Sequence, residues 1–506
     1  MDPLTRILKN VYAHRVLAIE KYATEYESIQ RNTLAQLLKQ AASTEWGRRY
    51  GFATIRDYAD YARTVPICRY EDIRDDMVRI MNGARDVIWP GQIENIALSS
   101  GTTSDRSKFV PVSTQSLRHS HIQGGFDVFA TYVDSNPDSR VTLGYQMSLS
   151  GKFRTEYKTP YVRAGEVSAI MTASIPPFVR NMMRFIPPQR LALIDDYHEK
   201  FDTIARYVAK RPLATIIGLP SWILTVLNLV VEHTGKENLS EVWPSMELFV
   251  HGGVGFAPYK PVFERLFPHG LHYRETYNAS EGFFGIQTDA NDPAMMLMLD
   301  YDNFFEFIPL SVYGTPQEYA IPLWETQVGV DYALVLTTAS GLWRYDLSDV
   351  VHFTSRAPYK ILISGRTTQT LESCGETLSV AQAERALHTA CQRTGCTVKE
   401  YTVSPLFAED GRGRHQWLIE FVGRQPDAVD FASTLDGALQ EQCELYHSKR
   451  SYDSPLMMPT VTLARYGLFD AWMEARGKYG GQNKVPRLSM DRKHIDQLLA
   501  MNAPLQ

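Results

Sequence analysis

Between Pro212 and Val231 the chain runs for twenty residues without a charged side chain, and this stretch constrains the fold more than any other. Twenty apolar or neutral residues are about enough to cross a bilayer as a helix. Gly218, Pro220 and Ser221 interrupt the run at its centre, however, and a proline inside a helix removes one backbone donor and clashes with the preceding turn. The pattern therefore predicts a buried strand over residues 214–219, a turn, and a core-packed helix beginning near Ser221.

Other segments follow the same grammar. The first 45 or so residues read as helical, with Leu4, Ile7, Leu8 and Val11 on one face. Short strands are predicted at 94–99, 140–147, 247–250 and 332–338, several of them followed by helical patterns. The fold class is α/β. A chain of 506 residues exceeds one ordinary core, and from about residue 366 the texture becomes compact. There Ser379 caps a helix to about Arg393, strands follow at 397–403 and 416–422, a helix at 427–446, a strand at 460–466 and a helix at 469–476. The expected division is a large N-terminal domain, 1–365, of sheets flanked by helices, and a small mobile α/β domain, 366–506. Ser364, Gly365 and Gly375 allow bending at the boundary.

Bulk chemistry narrows the function. Apolar residues are 44% and charged residues 22%, and the formal net charge of −5 provides no basic field for a nucleic acid backbone. Cys68, Cys374, Cys391, Cys396 and Cys443 are scattered and odd in number, which suits free thiols in a reducing compartment. His388, Cys391 and Cys396 lack a Cys-x-x-Cys spacing or an evident fourth ligand. The N-terminus has no secretory h-region, so the expected location is cytoplasmic.

Three constellations carry chemistry. Ser99, Ser100, Gly101, Thr102 and Thr103, followed by Asp105, Arg106, Ser107 and Lys108, place a flexible glycine among hydroxyls directly after a strand. Backbone N–H groups and hydroxyls of such a loop can wrap polyphosphate oxygens, although Ser107 stands where a Walker loop needs glycine and a polar turn is the plain alternative. The second comprises His251, Gly252, Gly253, Val254 and Gly255, then Tyr277, Asn278, Ala279, Ser280 and Glu281. Adjacent glycines let backbone approach a flat ring or a phosphate, and the Glu281 carboxylate is a hard oxygen ligand suited to Mg²⁺. Pro258 spoils a dinucleotide fingerprint here. The third runs from Gly341 to Val351, where Arg344 could neutralise phosphate and Asp349 could accept both hydroxyls of a ribose, unless Arg344 merely pairs with Asp346 or Asp349 to close a hairpin.

Taken together, SSGTT with its downstream lysine, YNASE, GLWRYDLSDVV, and also TVPICRYEDI, ELFVHGGVGFAPY and GQNKVPRL, make the chain similar to the auxin-responsive acyl acid amido synthetases. That family lies within the adenylate-forming superfamily of luciferase-like and acyl-CoA ligase enzymes. The resemblance runs from about residue 40 to about residue 490. It implies that Ser99, Ser100, Thr102 and Thr103 hold ATP phosphates, Gly252 and Gly253 lie against adenine, Glu281 binds Mg²⁺ and Asp349 takes the ribose. It further implies that Arg366 contacts the nucleotide near the hinge and that Lys484, on a mobile C-terminal loop, reaches the adenylate. Two departures stand out: Asp346 occupies a position often basic or neutral in relatives, and Ser348 replaces the glycine before the ribose aspartate, which predicts altered loop geometry.

The implied chemistry has two steps. A substrate carboxylate attacks the α-phosphorus of ATP and expels pyrophosphate, with Mg²⁺, Lys484 and the hydroxyl loop offsetting charge; an amino acid amine then attacks the acyl carbonyl and expels AMP. An acyl-CoA ligase using the same adenylate is one alternative, and a catalytically silent nucleotide-binding regulator is another. The aromatics Tyr145, Phe153, Tyr157, Tyr161 and Phe178 fall between the first two motifs, where relatives build the acid pocket, but the sequence names no acid. A monomer or weak dimer with no nucleic acid or membrane partner is expected.

Overall fold

The computed structural model describes residues 3–99, 108–253, 256, 259–367, 370–371, 373, 376, 378–407, 413–451, 456–479 and 484–503. The chain divides into two compact units: Met1–Val254, Glu264–Leu347 and Val351–Leu362 form one, and Gly255–Phe263, Ser348–Val350 and Ile363–Gln506 the other. The two short excursions into the second unit are what a single cut near residue 366 cannot express.

In the first unit, β1 (Asn95–Ser99) pairs antiparallel with β2 (Lys108–Val112) in the register Ser99 to Lys108, and parallel with Arg163–Gly165. That last strand leads into helix α1 (Val167–Ser174). A separate twelve-stranded sheet of the described residues contains the parallel block β3 (Tyr145–Ser148), β4 (Leu213–Ile217), β5 (Leu248–Gly252) and β6 (His272–Asn278), after which β7 (Phe283–Ile286) turns back antiparallel. Strands of a parallel block are covered on both faces, so they read as continuous apolar runs rather than alternating ones. Met147, Ile216 and Phe249 are accordingly fully buried.

The uncharged run becomes β4 followed by α2 (Pro220–Thr234), with Pro220 in the first turn, where its missing N–H costs nothing, and Gly235 closing the helix at φ 64°. Val226, Leu227 and Val230 of α2 are fully buried. No helix among the described residues is long and apolar enough to cross a membrane. The strand expected at 140–147 is shorter: a 3-10 turn at Val141–Leu143 precedes β3. Gly144 explains the interruption, since a Cβ there would lie 2.7 Å from the Ala214 backbone nitrogen.

The second unit follows the expected order. Ser379 caps α3 (Val380–Thr394) in a capping box with Gln382. β8 (Thr397–Phe407) and β9 (Gly413–Val422) pair antiparallel, and β10 (Thr460–Ala464) joins β9 in parallel. Tyr401, Trp417 and Phe421 of this sheet pack with Leu387 of α3 and with Phe431 and Leu435 of α4 (Ala428–Gln442). The helix expected over 427–446 instead breaks at Cys443, and a new one, Glu444–Ser451, begins. The break lets Tyr446 and Arg450 both reach back to Asp436, at 2.7 and 2.8 Å.

Candidate functional site

In open α/β sheets, ligands bind beyond the carboxyl ends of the parallel strands. In the first unit that edge carries Gly252–Gly253 after β5 and the turn 279–282 after β6. Gly252 has an immediate structural reason to be glycine, because a Cβ would meet the Thr276 carbonyl oxygen at 2.3 Å. Gly253 takes φ 80°, a left-handed conformation that side chains resist, and it is exposed. Ala279 N–H donates to Gly282 O at 2.9 Å, which makes Ser280 and Glu281 the tip of a tight hairpin. Hairpin tips ordinarily face water; these two side chains are 4% and 5% exposed. Tyr277 sets its ring edge-on to Phe284 with centroids 5.0 Å apart and so helps hold the strand that delivers this tip.

Of the first motif, Ser100, Gly101, Thr102 and Thr103 lie outside the described residues. Ser99 ends β1 and Lys108 starts β2, directly opposite it. The Lys108 ammonium lies 5.8 Å from the Tyr70 ring centroid, and the Tyr70 hydroxyl accepts the Phe109 N–H at 3.0 Å. The two strand ends thus fix the mouth of the loop. Among the aromatics that follow it, Tyr161 and Phe178 are 52% and 70% exposed and face solvent.

Arg344 requires a correction. Its Nε donates to both Glu306 carboxylate oxygens at 3.0 and 3.1 Å, Nη1 donates to the Ala62 and Val65 carbonyls at 2.7 and 2.8 Å, and Nη2 lies 2.9 Å from Glu306 Oε1. Every guanidinium nitrogen is committed inside the protein, and Glu306 is fully buried, so this arginine is a structural tie rather than a phosphate ligand. The plain salt-bridge alternative was closer, with the partner coming from another strand. Asp346 is likewise internal: it accepts from the Tyr313 hydroxyl at 2.7 Å and faces Arg69 at 3.2 Å.

The remaining site residues belong to the second unit. Arg366 Nε donates to Asp349 Oδ1 at 2.8 Å, with about a third of the arginine side chain open to solvent. Ser348 adopts φ 64°, the left-handed region a glycine would take freely, and its carbonyl accepts the Thr367 N–H at 2.9 Å. The altered loop geometry expected from the serine is thus absent: the serine keeps the glycine-type conformation at a cost in strain. Lys484 leads into a stretch laced along β8, where Thr402 Oγ1 donates to Pro486 O at 2.6 Å and Val403 N–H to Arg487 O at 2.8 Å. Crowding by the surrounding protein and the charge of Arg366 lower the Lys484 ammonium to about 8, against the opposing pull of Asp349; the side chain itself still reaches solvent. Arg487 pairs with Glu400 and places its guanidinium 4.6 Å from the Tyr401 ring centroid.

One group escaped the sequence reading. Residues 114–135 form a single helix whose segment Leu117–Ile122 is π-helical. His121 on that turn is 1% exposed, with Nδ1 3.1 Å from the Asn278 side-chain amide. No composition or motif signal announces a π turn; only the membership of its partner Asn278 in the second motif could have drawn attention to it.

Solved structures share this architecture. The GH3.15 acyl acid amido synthetase matches with a TM-score of 0.79 at 19% identity, over 96% of this chain and 95% of its own. The 2-hydroxyisobutyryl-CoA ligase bound to 2-HIB-AMP matches with a TM-score of 0.61 at 13% identity, over 94% of this chain and 93% of its own. The fold is that of the adenylate-forming ligases. Within that class the chain belongs to the GH3 family: the family's N-terminal domain matches residues 15–207, its central domain 296–366 and its C-terminal domain 381–493. Its relatives include the indole-3-acetic acid-amido synthetase GH3.4 of Arabidopsis thaliana, 22% identical over 93% of this chain and 90% of that protein. The 4-substituted benzoates-glutamate ligase GH3.12 of the same plant is 23% identical over 95% and 96%.

Proposed function

We propose that this protein is an ATP-dependent acyl acid amido synthetase that converts a carboxylic acid to its acyl adenylate, releases pyrophosphate and passes the acyl group to an amino acid amine. The observation that carries the reading is the buried carboxylate of Glu281, held at a hairpin tip beside Gly252 and Gly253 on the carboxyl edge of the parallel strands, in a chain that matches all three domains of the family.

The residues fit Mg²⁺. Among the described residues no three His, Cys, Asp or Glu side chains cluster. Glu281 would therefore supply one oxygen and leave the rest of the shell to phosphate and water, the arrangement Mg²⁺ prefers. When bound, the ion offsets charge on the transferring phosphates. In the first unit Ser99, Ser100, Thr102, Thr103 and Lys108 hold phosphate oxygens, Gly252 and Gly253 receive adenine, and Ser280 and Tyr277 position the hairpin. In the second unit Asp349 accepts the ribose hydroxyls, Arg366 steadies that carboxylate and contacts the nucleotide, and Lys484 donates to the adenylate. The C-terminal domain moves between the two half-reactions, the protein is cytoplasmic, and it works as a monomer or weak dimer.

Pyrophosphate release with ATP and Mg²⁺ across aryl, indolyl and fatty acids, run with each amino acid and separately with coenzyme A, tests this. An amide product establishes the reading and names the acid. A thioester formed only with coenzyme A replaces it with the acyl-CoA ligase, and ATP binding without release under any acid favours a regulatory protein.

A further inference from the structure

The His121–Asn278 contact fixes a proton. The Asn278 amide faces two carbonyl oxygens that can only accept, Gly282 O and Ala279 O, both at 3.3 Å, which turns its NH₂ group to that side and toward His121 Nδ1 at 3.1 Å. His121 Nδ1 is then an acceptor and carries no hydrogen, and in a neutral imidazole the hydrogen sits on Nε2. Burial keeps the ring neutral by lowering its pKa to about 4. The Nε2–H is buried and has no partner among the described residues. An unmet buried donor is costly, and a protein carries one only for a reason.

The surroundings define what would meet it. Asn278 also touches Met171 Sδ at 4.0 Å, and Met171 belongs to α1, whose Val167, Ala169 and Ile170 are buried. On the far side Ser120 ties the π turn to β7, accepting the Phe283 N–H at 2.9 Å, so the imidazole is held by fixed partners in front and behind. Wide π turns recur at functional sites because they re-aim one side chain. A single neutral donor beside an apolar helix, held by Asn278 at the carboxyl end of the last strand of the parallel block, suits an anion with an apolar body. His119, two residues away, contrasts with it as an exposed partner of Asp302 at 2.9 Å.

We propose that His121 recognises the carboxylate of the acyl substrate through Nε2–H, with Asn278 setting the tautomer. The assignment rests on the amido synthetase reading. It also makes chemical sense of a neutral ring: an imidazolium would hold the carboxylate's charge and blunt its attack on phosphorus, whereas one N–H orients one oxygen and leaves the other nucleophilic. No bond to His121 forms or breaks.

Two measurements on the full-length protein test it. In ¹⁵N-histidine spectra, the resonance that disappears in His121→Gln should report the Nε2–H tautomer near neutral pH; an Nδ1–H tautomer overturns the proposal. With benzoate, indole-3-acetate and decanoate as probes of pyrophosphate release, His121→Leu should raise the acid KM about 10- to 100-fold while the KM for ATP holds. His121→Gln, whose amide nitrogen can stand near Nε2, should restore most of that loss. Equal changes in the two KM values, or a glutamine variant no better than leucine, overturn the assignment in favour of a purely structural histidine. If the native protein releases pyrophosphate with none of the probes while the expected tautomer is seen, it is the enzymatic reading that fails, and the carboxylate assignment falls with it.

Discussion

Two residues of one motif, Arg344 and Asp349, each pair with a residue outside it, and the two arginine–carboxylate pairs behave oppositely. Arg344 and Glu306 have side chains 5% and 0% exposed, whereas Arg366 and Asp349 are 33% and 9% exposed. The first arginine spends its nitrogens on one carboxylate and two backbone carbonyls. The second reaches its partner from a position still open to water. The same pair of residue types therefore serves as a clamp where all donors are consumed indoors, and stays accessible to water where the arginine is a third exposed.

The comparison breaks first at Glu306. Replacing it with alanine strands a buried guanidinium, and stability should fall by about 3–5 kcal/mol in urea unfolding. A Glu306→Leu, Arg344→Met double variant should recover most of that loss, because removing both charges also removes their desolvation cost. A loss below about 1 kcal/mol for the single variant would mean that the pair is no clamp.

At the open pair the expectation reverses. Asp349→Ala, which leaves the one-third exposed Arg366 to water, should shift stability by only about 1 kcal/mol, while acid-dependent pyrophosphate release drops about 100-fold or more, as when a positioned electrostatic group is removed from an active site. Parallel loss of folding and activity would erase the distinction between the two pairs. Lys484 sharpens it in a second way. Its ammonium, lowered to about 8 by crowding and by Arg366, is charged below that pH and neutral above it. If the positive charge serves the adenylate, activity should fall as pH rises through about 8, and Lys484→Arg, which stays charged, should flatten that limb. A profile unchanged by the substitution would remove Lys484 from the chemistry.

What the sequence disclosed about these regions follows from the range of the interactions. The capping box at Ser379 and the strand–turn–helix of residues 212–231 are set by neighbours within a few positions, and both were legible. The clamp joins residues 38 apart along the chain, Glu306 on the strand Asn303–Pro309 and Arg344 in the bend before Tyr345–Arg356, which meet only in the finished fold, and so Arg344 was misassigned while its salt-bridging character was anticipated. The helix break at Cys443 depends on Asp436 attracting Tyr446 and Arg450, a preference that periodicity cannot register. His121 was invisible for a similar reason, because its meaning lies in the tautomer that Asn278, 157 positions later, imposes.

The smallest expected effect concerns Ser348, which lies along the chain between Arg344 and Arg366. A serine at φ 64° pays in steric strain for what glycine does freely, yet glycine would loosen the unfolded chain and take back part of the gain. Ser348→Gly should therefore stabilise the protein by only about 0.5–1 kcal/mol, provided that the Ser348 carbonyl keeps the Thr367 N–H. The informative readout is activity, since Asp349 follows directly and its aim is set by this residue. Unchanged turnover with a small stability gain would mean that the serine only mimics the glycine conformation. Lower turnover despite the gain would mean that the restricted serine backbone holds Asp349 against Arg366 in the geometry that the nucleotide requires, and that the strain is retained for that purpose.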